Sequence, residues 1–220
     1  MTVGRALFLG LDVGTSGVKA LLMDSAGDVA ASATAPLSLS TPQPGWAEQH
    51  PDQWWEGCLA ATRQVLDRRP GVSVAAVGIS GQMHSAVFLD RAGAVVRPAL
   101  LWCDGRTTEE CREITRLAGG EERLRQWVSN PALEGFTLPK VLWLRRHEPA
   151  AFARVATVLL AKDFVRFRLT GTLAAEPSDA SGTLMYDRRG GAGVARSWTR
   201  CRSRCRCSPT WGNRARCWVA

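Results

Sequence analysis

Three apolar stretches joined by two tight turns occupy the first 36 residues, and this pattern restricts the possible folds more than any other feature. The stretches are residues 5–12, 18–23 and 29–36, and Gly and Asp residues separate them. Short apolar runs bounded by turn-forming residues are typical of buried strands. The sequence therefore predicts an antiparallel meander at the start of the domain.

Helix and strand patterns alternate after the meander. A helix is predicted over residues 51–69, with Pro51 in its first turn. Further strands are predicted over residues 74–80, 86–89 and 155–160, and further helices over residues 105–117, 138–146 and 162–169. This order predicts an α/β domain in which helices flank a mixed sheet.

The net charge of +8 is concentrated at one end of the chain. Nine of the 28 Lys and Arg residues, and none of the 20 Asp and Glu residues, lie in residues 188–220. Residues 1–187 thus carry 19 basic and 20 acidic side chains, which leaves no basic footprint for nucleic acid in the body of the chain.

Apolar runs and cysteines indicate the compartment. No apolar run approaches the ~18 residues of a membrane span, and no cleavage site follows the short apolar stretch at the N-terminus. Cys58, Cys103 and Cys111 are scattered, as reduced thiols are in the cytosol. We expect a cytoplasmic protein without a membrane partner.

A Gly-rich turn between the first two strands is the strongest local signal. Asp12 ends the first strand, and Gly14, Thr15 and Ser16 follow it. Small residues let backbone N–H groups approach an anion, and an Asp beside such a turn can hold Mg²⁺ or its water. The alternative is an ordinary Gly-rich hairpin with a solvated Asp.

Two polar segments follow later apolar strands. In the first, Gln82, Met83 and His84 offer groups suited to a sugar, although a lone His is more often an ordinary surface residue. In the second, Trp102 can stack on a sugar ring and Asp104 can accept hydroxyl hydrogen bonds, although Asp104 can equally be a helix N-cap.

Seven ordered sequence blocks resemble the FGGY family of carbohydrate kinases, and among them the kinases of D-xylulose. The blocks are LGLDVGTSGVKALL, PGWAEQHPDQWW, GISGQMHS, LLWCDGR, GFTLPKVLWLRRHEP, LLAKDFVRFRLTG and SDASGT. The resemblance implies an actin-like, ribonuclease H-like ATPase fold with two domains facing a cleft. It also implies transfer of the γ-phosphoryl of Mg·ATP to a sugar hydroxyl, with O5 of D-xylulose the expected acceptor and another ketose or polyol the alternative.

The same resemblance assigns roles to particular residues. Asp12 would be the carboxylate important for activity and would hold Mg²⁺ through water. Gly14, Thr15 and Ser16 would form the phosphate loop. Met83, His84 and Asp104 would contact the sugar. Lys140 and Lys162 lie in blocks typical of the family, and we interpret them as structural. Oligomeric state is left open.

The resemblance ends near residue 187. Residues 1–187 are expected to be an incomplete N-terminal domain, because the family's general base, an Asp, belongs to a later segment. When residues 198–220 are translated back into G/C-rich codons and read again two bases later, the new sequence resembles the family's continuation. A frameshift between about residues 188 and 197, and a disordered tail over residues 188–220, are therefore expected.

A zinc-bound nucleic-acid module is the alternative for the tail. Its four Cys have the spacing C-x3-C-x-C-x9-C, which differs from paired zinc knuckles. For the whole chain two hypotheses stay open. One is an incomplete sugar kinase, which is expected to be inactive by itself because phosphoryl transfer needs the missing base and both domains. The other is a non-catalytic sugar-binding or regulatory protein.

Overall fold

The predicted meander forms three strands of a four-stranded sheet in the computed structural model, which describes residues 6–187 and 192–193. The strands are β1 Leu7–Val13, β2 Gly17–Met23, β3 Val29–Pro36, β4 Glu48–Gln49, β5 Val74–Gly81, β6 Val87–Leu89, β7 Ala99–Leu100, β8 Thr157–Leu159, β9 Tyr186–Asp187 and β10 Ala192–Gly193. The helices are α1 Pro51–Asp67, α2 Thr108–Ala118, α3 Glu121–Val128, α4 Thr137–His147, α5 Pro149–Arg154, α6 Ala161–Thr170 and α7 Pro177–Ala180, and a 3₁₀ turn follows over Ser181–Thr183.

The sheet is mixed, as predicted, with the strand order β3-β2-β1-β5. Strands β1, β2 and β3 pair antiparallel, whereas β5 runs parallel to β1 with Asp12 opposite Ser80 and Val13 opposite Gly81. Parallel strands end at the same edge of a sheet. The segments that follow β1 and β5 therefore begin side by side.

Alternating burial along β1 decides which face of the sheet carries polar groups. Leu9, Leu11 and Val13 are buried in the main core, whereas Asp12 is exposed. Helices α1 and α6 pack on the buried side. At Gly57 of α1 an added Cβ would lie 2.9 Å from Val18 Cγ2, so the helix approaches the sheet closely because this position has no side chain.

A second layer of helices packs beside the sheet and supports the loops of the site. One cluster of buried residues joins helices α2, α3 and α4 and comprises Ile114, Ala118, Leu124, Val128, Leu138, Leu142 and Leu184. Another joins α4 to the short strands and comprises Ala86, Phe88, Leu100, Val141, Trp143, Leu144 and Val155. Helix α4 is therefore buried on several sides, and all of its residues from 137 to 144 are buried.

The structure differs from the sequence predictions at short elements and at one helix start. Helix α2 begins at Thr108 rather than at residue 105, because Asp104 and Arg106 pair with each other in the preceding loop. Strand β6 pairs with β8 outside the main sheet. Helices α3, α5 and α7 were not predicted, since none is long enough for a clear period.

The predictions for residues 188–220 lie outside the described residues, apart from the backbone of β10. Within the described ranges, no helix has the length and apolar character needed to cross a lipid bilayer.

Candidate active site

The two predicted loops lie next to each other at the ends of β1 and β5. The N–H of Gln82, just after β5, donates a hydrogen bond of 2.8 Å to the carbonyl of Val13, the last residue of β1. Residues 14–16 and residues 83–85 follow directly after this contact. The Gly-rich turn and the Met83–His84 corner thus share one edge of the sheet.

The turn after β1 presents free backbone donors. Gly14 donates to the carbonyl of Gly17 at 3.1 Å, and a Cβ at Gly14 would lie only 2.9 Å from that oxygen. Only glycine fits this turn without a shift. In the part of the chain that the structure describes, the N–H groups of Thr15 and Ser16 have no acceptor, so both can bind an anion.

Asp12 lies beside this turn on the exposed face of the sheet. Its Oδ1 accepts a hydrogen bond of 3.0 Å from Ser80 Oγ, and Oδ2 has no donor among the described residues. Lys19 is the cross-strand partner of Asp12 and is also exposed. A free carboxylate oxygen beside open amide donors fits a hydrated Mg²⁺ with its phosphates.

The hydroxyl of Thr15 joins the turn to the Met83–His84 corner. Thr15 Oγ1 accepts a hydrogen bond from Trp102 Nε1 at 3.0 Å and donates one to Gln82 Oε1 at 3.3 Å. Ser85 Oγ also donates to Gln82 Oε1, at 3.0 Å, and accepts from the Trp102 N–H at 3.2 Å. The three predicted segments therefore form one hydrogen-bonded unit.

His84 is held in an uncommon backbone conformation, with φ at +60°. Its ring packs edge-on against Phe136, with centroids 4.6 Å apart, and its carbonyl accepts from Thr137 Oγ1 at 2.9 Å. Burial and the charge of Lys140 lower the pKa of His84 to about 4, against a weaker opposing effect of the Gly182 backbone. At neutral pH the ring is therefore neutral and can both donate and accept.

Lys140 shapes the segment that lies against His84. Its buried Nζ donates to the carbonyls of Glu134, at 3.1 Å, Phe136, at 2.9 Å, and Gly135. Burial lowers the pKa of Lys140 to about 7. A Cβ at Gly135 would lie 2.9 Å from the carbonyl of Trp102, so this segment also touches the third predicted loop.

Two large apolar side chains are exposed at this edge, beside the polar groups of the loops. Met83 is 53% exposed and Trp102 is 44% exposed. Large apolar groups left open beside polar ones are typical of ligand sites. Their flat and flexible surfaces suit the C–H groups of a sugar.

Asp104 has a different placement from the one expected for a sugar ligand. It is 1% exposed, and its Oδ2 accepts from Ala47 N–H and Arg106 Nη2, both at 2.7 Å. Its Oδ1 accepts from Arg106 N–H at 3.1 Å and Nε at 2.8 Å. Every favourable direction around this carboxylate is thus occupied, and the N-cap of α2 is Thr107 rather than Asp104.

Arg106 links Asp104 to a buried cluster. The guanidinium carbon lies 3.6 Å from the ring centroid of Trp46 and 4.7 Å from that of Trp143, and Nη1 lies 2.8 Å from Glu48 Oε1. Stacked and forked contacts of this kind favour Arg over Lys. The cluster fixes the Trp102 loop to β4 and α4.

The sequence matches the model of the N-terminal domain of the FGGY family of carbohydrate kinases over residues 7–192. The chain belongs to this family. Its mixed α/β architecture is that of the actin-like ATPase fold of sugar kinases, as predicted.

Several relatives of this FGGY chain are named xylulose kinase. The xylulose kinase of Escherichia coli K12 is 44% identical over 181 residues, which are 82% of this chain and 37% of that protein. A solved xylulose kinase from Rhodospirillum rubrum has a TM-score of 0.84 at 30% identity and covers 89% of this chain. A kinase from Brucella ovis, described as a xyloylose kinase, has a TM-score of 0.83 at 38% identity, again over 89% of this chain.

This FGGY chain spans about two fifths of the length of those relatives, since it covers 37% of the first, 40% of the second and 41% of the third. What the relatives do as whole proteins therefore reaches this chain only as a proposal.

Sequence reasoning missed three residues that shape the site. Gln49 contacts the Thr15 carbonyl, Phe136 packs on His84, and Gly182 touches the His84 ring. Each lies inside a family-like block, which was the only available signal. Neither hydropathy nor spacing marks a buried amide or a glycine as part of a site.

Proposed function

We propose that this chain forms the sugar-binding corner and phosphate loop of a carbohydrate kinase that transfers the γ-phosphoryl of Mg·ATP to D-xylulose. The observation that carries the proposal is the contact between the two loops through Thr15, Gln82 and Trp102. Phosphoryl transfer depends mainly on positioning the two substrates, so a sugar corner bonded to an anion-binding turn is the arrangement that it needs.

The phosphate side of the proposal uses backbone donors and one carboxylate. The open N–H groups of Thr15 and Ser16 would bind phosphate oxygens, and Gly14 makes room for the turn. Asp12 would hold a water of Mg²⁺ through its free oxygen, and the cation would neutralise charge on the phosphates. Lys19, opposite Asp12 in the sheet, adds a positive charge on the same face.

The sugar side uses a neutral imidazole and apolar surface. His84 would exchange hydrogen bonds with sugar hydroxyls, while Met83 and Trp102 would cover C–H groups. Asp104 would act indirectly, by holding the loop that carries Trp102, because its carboxylate is enclosed. D-xylulose is chosen over another ketose or polyol because the first relatives are named xylulose kinases.

A cytoplasmic location is part of the proposal. Cys58 and Cys111 are buried free thiols, and burial raises the pKa of each to about 12. Inert thiols of this kind suit a reducing compartment.

Non-catalytic sugar binding is the second candidate. It is favoured by the observation that His84 is held by Phe136, Thr137 and Gly182, all of which belong to this chain. The two candidates differ in whether phosphate leaves ATP in a sugar-dependent way.

Thermal unfolding of the purified chain tests sugar binding. We expect D-xylulose to raise the Tm and glycerol to have no effect, because a ligand that binds only the folded state stabilises it. His84→Asn should abolish the shift, whereas His50→Asn should preserve it, since Asn is a good N-cap for α1. An equal shift with His84→Asn would contradict the proposed corner.

Transfer of radiolabelled phosphate from ATP then separates the candidates. Labelled sugar phosphate, or a sugar-induced Tm shift that Mg·ATP increases further, supports the kinase, whereas a Tm shift with sugar alone and no effect of Mg·ATP supports the binding protein. The absence of both would contradict both functions.

A further inference from the structure

Two buried glutamines join the phosphate loop to the sugar corner. Gln82 follows β5, and Gln49 ends β4, 33 residues earlier in the chain. Gln49 is 2% exposed and Gln82 is 9% exposed. Buried amides are costly unless all their groups are paired, so the partners of these two define what they do.

The amide of Gln82 is fully engaged on both sides of the site. Its Oε1 accepts from Thr15 Oγ1 at 3.3 Å and from Ser85 Oγ at 3.0 Å. Its Nε2 donates to the Gly14 carbonyl at 3.3 Å and to Gln49 Oε1 at 3.4 Å. An amide has two donors and two acceptor sites, and none of them is left for a sugar.

Gln49 contacts both the phosphate loop and Gln82. Its Nε2 donates to the Thr15 carbonyl at 2.7 Å and to the Ser38 carbonyl at 3.1 Å. Its Oε1 accepts from Trp54 Nε1 at 2.9 Å as well as from Gln82. Because Trp54 is fully buried in α1, this second amide anchors the loop to the rigid core.

We propose that Gln49 and Gln82 are positioning residues that fix residues 14–16 relative to residues 83–85, so that sugar binding orders the phosphate loop. This proposal rests on the function proposed above and deepens it. Neither side chain touches substrate. Each holds a carbonyl or hydroxyl of the loop, and the open amides of Thr15 and Ser16 keep their direction as a result.

A Glu residue at either position separates positioning from packing, because it keeps the shape but replaces the amide nitrogen by oxygen. In Gln82→Glu, a carboxylate oxygen faces the Gly14 carbonyl and Gln49 Oε1. In Gln49→Glu, it faces two carbonyls. Gln82→Met, which keeps the length without polar atoms, serves if the Glu variants do not fold, and Gln64→Glu on the exposed side of α1 is the matched control.

Amide hydrogen exchange of the ligand-free chain is the first test. We expect exchange of the Gly14 amide, whose N–H bonds to the Gly17 carbonyl, to be about tenfold faster in Gln82→Glu and Gln49→Glu, the change that corresponds to one lost hydrogen bond. Exchange in α1 and in Gln64→Glu should match the unmodified chain. Unchanged exchange of the Gly14 amide in both glutamine variants would overturn the proposal.

Exchange with D-xylulose is the second test, and a merely structural role would not affect it. In the unmodified chain we expect slower exchange at residues 83–85 and also at the Gly14 amide of the loop. In Gln82→Met the slowing should stay at residues 83–85 alone. If exchange in the loop slows equally in both proteins, the proposal is overturned. If exchange in the unmodified chain does not change anywhere, the result counts against D-xylulose as the sugar. The first test then decides the role of the glutamines.

Discussion

Gly182 has no side chain at the point where the His84 ring needs the space. A Cβ there would lie 2.6 Å from His84 Nδ1 and closer still to Cε1. Helix α7, which directly precedes the 3₁₀ turn with Gly182, is held by Lys162, whose Nζ lies 3.1 Å from Asp179 Oδ2 and 3.2 Å from Glu176 Oε1. A larger residue at 182 must therefore displace the imidazole rather than move away itself.

We predict that Gly182→Ala weakens D-xylulose binding by at least about tenfold and lowers stability by about 1–3 kcal/mol, the usual cost of overpacking. Calorimetric titration and urea unfolding measure the two effects. Gly78→Ala in β5 is the control, because an added Cβ there meets nothing within 4 Å. Equal sugar affinity in the two variants would contradict the contact between Gly182 and His84.

The lowered pKa of His84 makes stability depend on pH in a defined window. The ring takes a proton near pH 6.5 in the unfolded chain but only near pH 4 in the folded one, owing to burial and to Lys140. The unfolded state therefore binds more protons between these values, and stability falls as the pH drops through them. Above pH 6.5 both states carry a neutral ring, and this loss is absent.

We predict that the free energy of unfolding falls by about 2 kcal/mol more between pH 7 and pH 4.5 in the unmodified chain than in His84→Asn. Urea unfolding at the two pH values measures the free energy of unfolding of both proteins. Because the carboxylates titrate in both, their contribution cancels when the two proteins are compared. Identical pH dependence of the two proteins would contradict a buried, neutral His84.

Sequence reasoning at the residue scale succeeded where the backbone sets the geometry. The Gly14 turn was predicted because only small residues make such a turn, and the structure brings it to the Met83–His84 corner. Asp104 shows the limit, since a carboxylate that follows Trp-Cys can face either solvent or a buried Arg. Which one holds depends on Trp46 and Trp143, and their spatial proximity has no local signature.

Buried Arg106 holds three elements of the molecule together. It pairs with Asp104 in the Trp102 loop and Glu48 in β4, and it stacks on Trp143 in α4. Glu48 also pairs with Arg97, which in turn contacts Glu148 before α5. Removing one member of such a cluster leaves a buried charge without compensation.

We predict that Arg106→Met lowers the free energy of unfolding by about 3–5 kcal/mol, because Asp104 then stays buried without its partner. Arg112→Met, which removes an exposed pair with Glu109 on α2, should cost less than about 1 kcal/mol. Urea unfolding of both variants makes the comparison. Similar costs would mean that the Arg106 cluster contributes no more than a surface pair.

At the element scale, the sequence pattern predicts the long strands and helices, but it does not predict which strands pair with each other. Residues 5–36 predict a meander because the turns are short, and the structure has those three strands in order. The parallel pairing of β5 with β1 joins residues about 70 apart, and β6 pairs with β8 across a similar span. Pairing at such distances depends on the packing of α1 and α6, which no window of sequence contains.

At the scale of the whole molecule, the site draws on segments from Asp12 to Gly182. The loops after β1 and β5, the Trp102 loop, the start of α4 and the 3₁₀ turn each supply at least one group. The FGGY N-terminal domain covers residues 7–192, which includes all of these segments. The expected domain boundary at residue 187 and the expected origin of the tail stay predictions.

Chemical-shift mapping of the ¹⁵N-labelled chain with D-xylulose tests whether one continuous site exists. The proposed site predicts that saturating sugar shifts the backbone amides of Met83, His84 and Trp102, and that Mg·ATP shifts those of Thr15 and Ser16. It also predicts that the two sets overlap at Gln82, which bonds to both loops. Sugar-induced shifts on a surface remote from His84, or nucleotide-induced shifts that leave residues 14–16 unchanged, would contradict the proposed site.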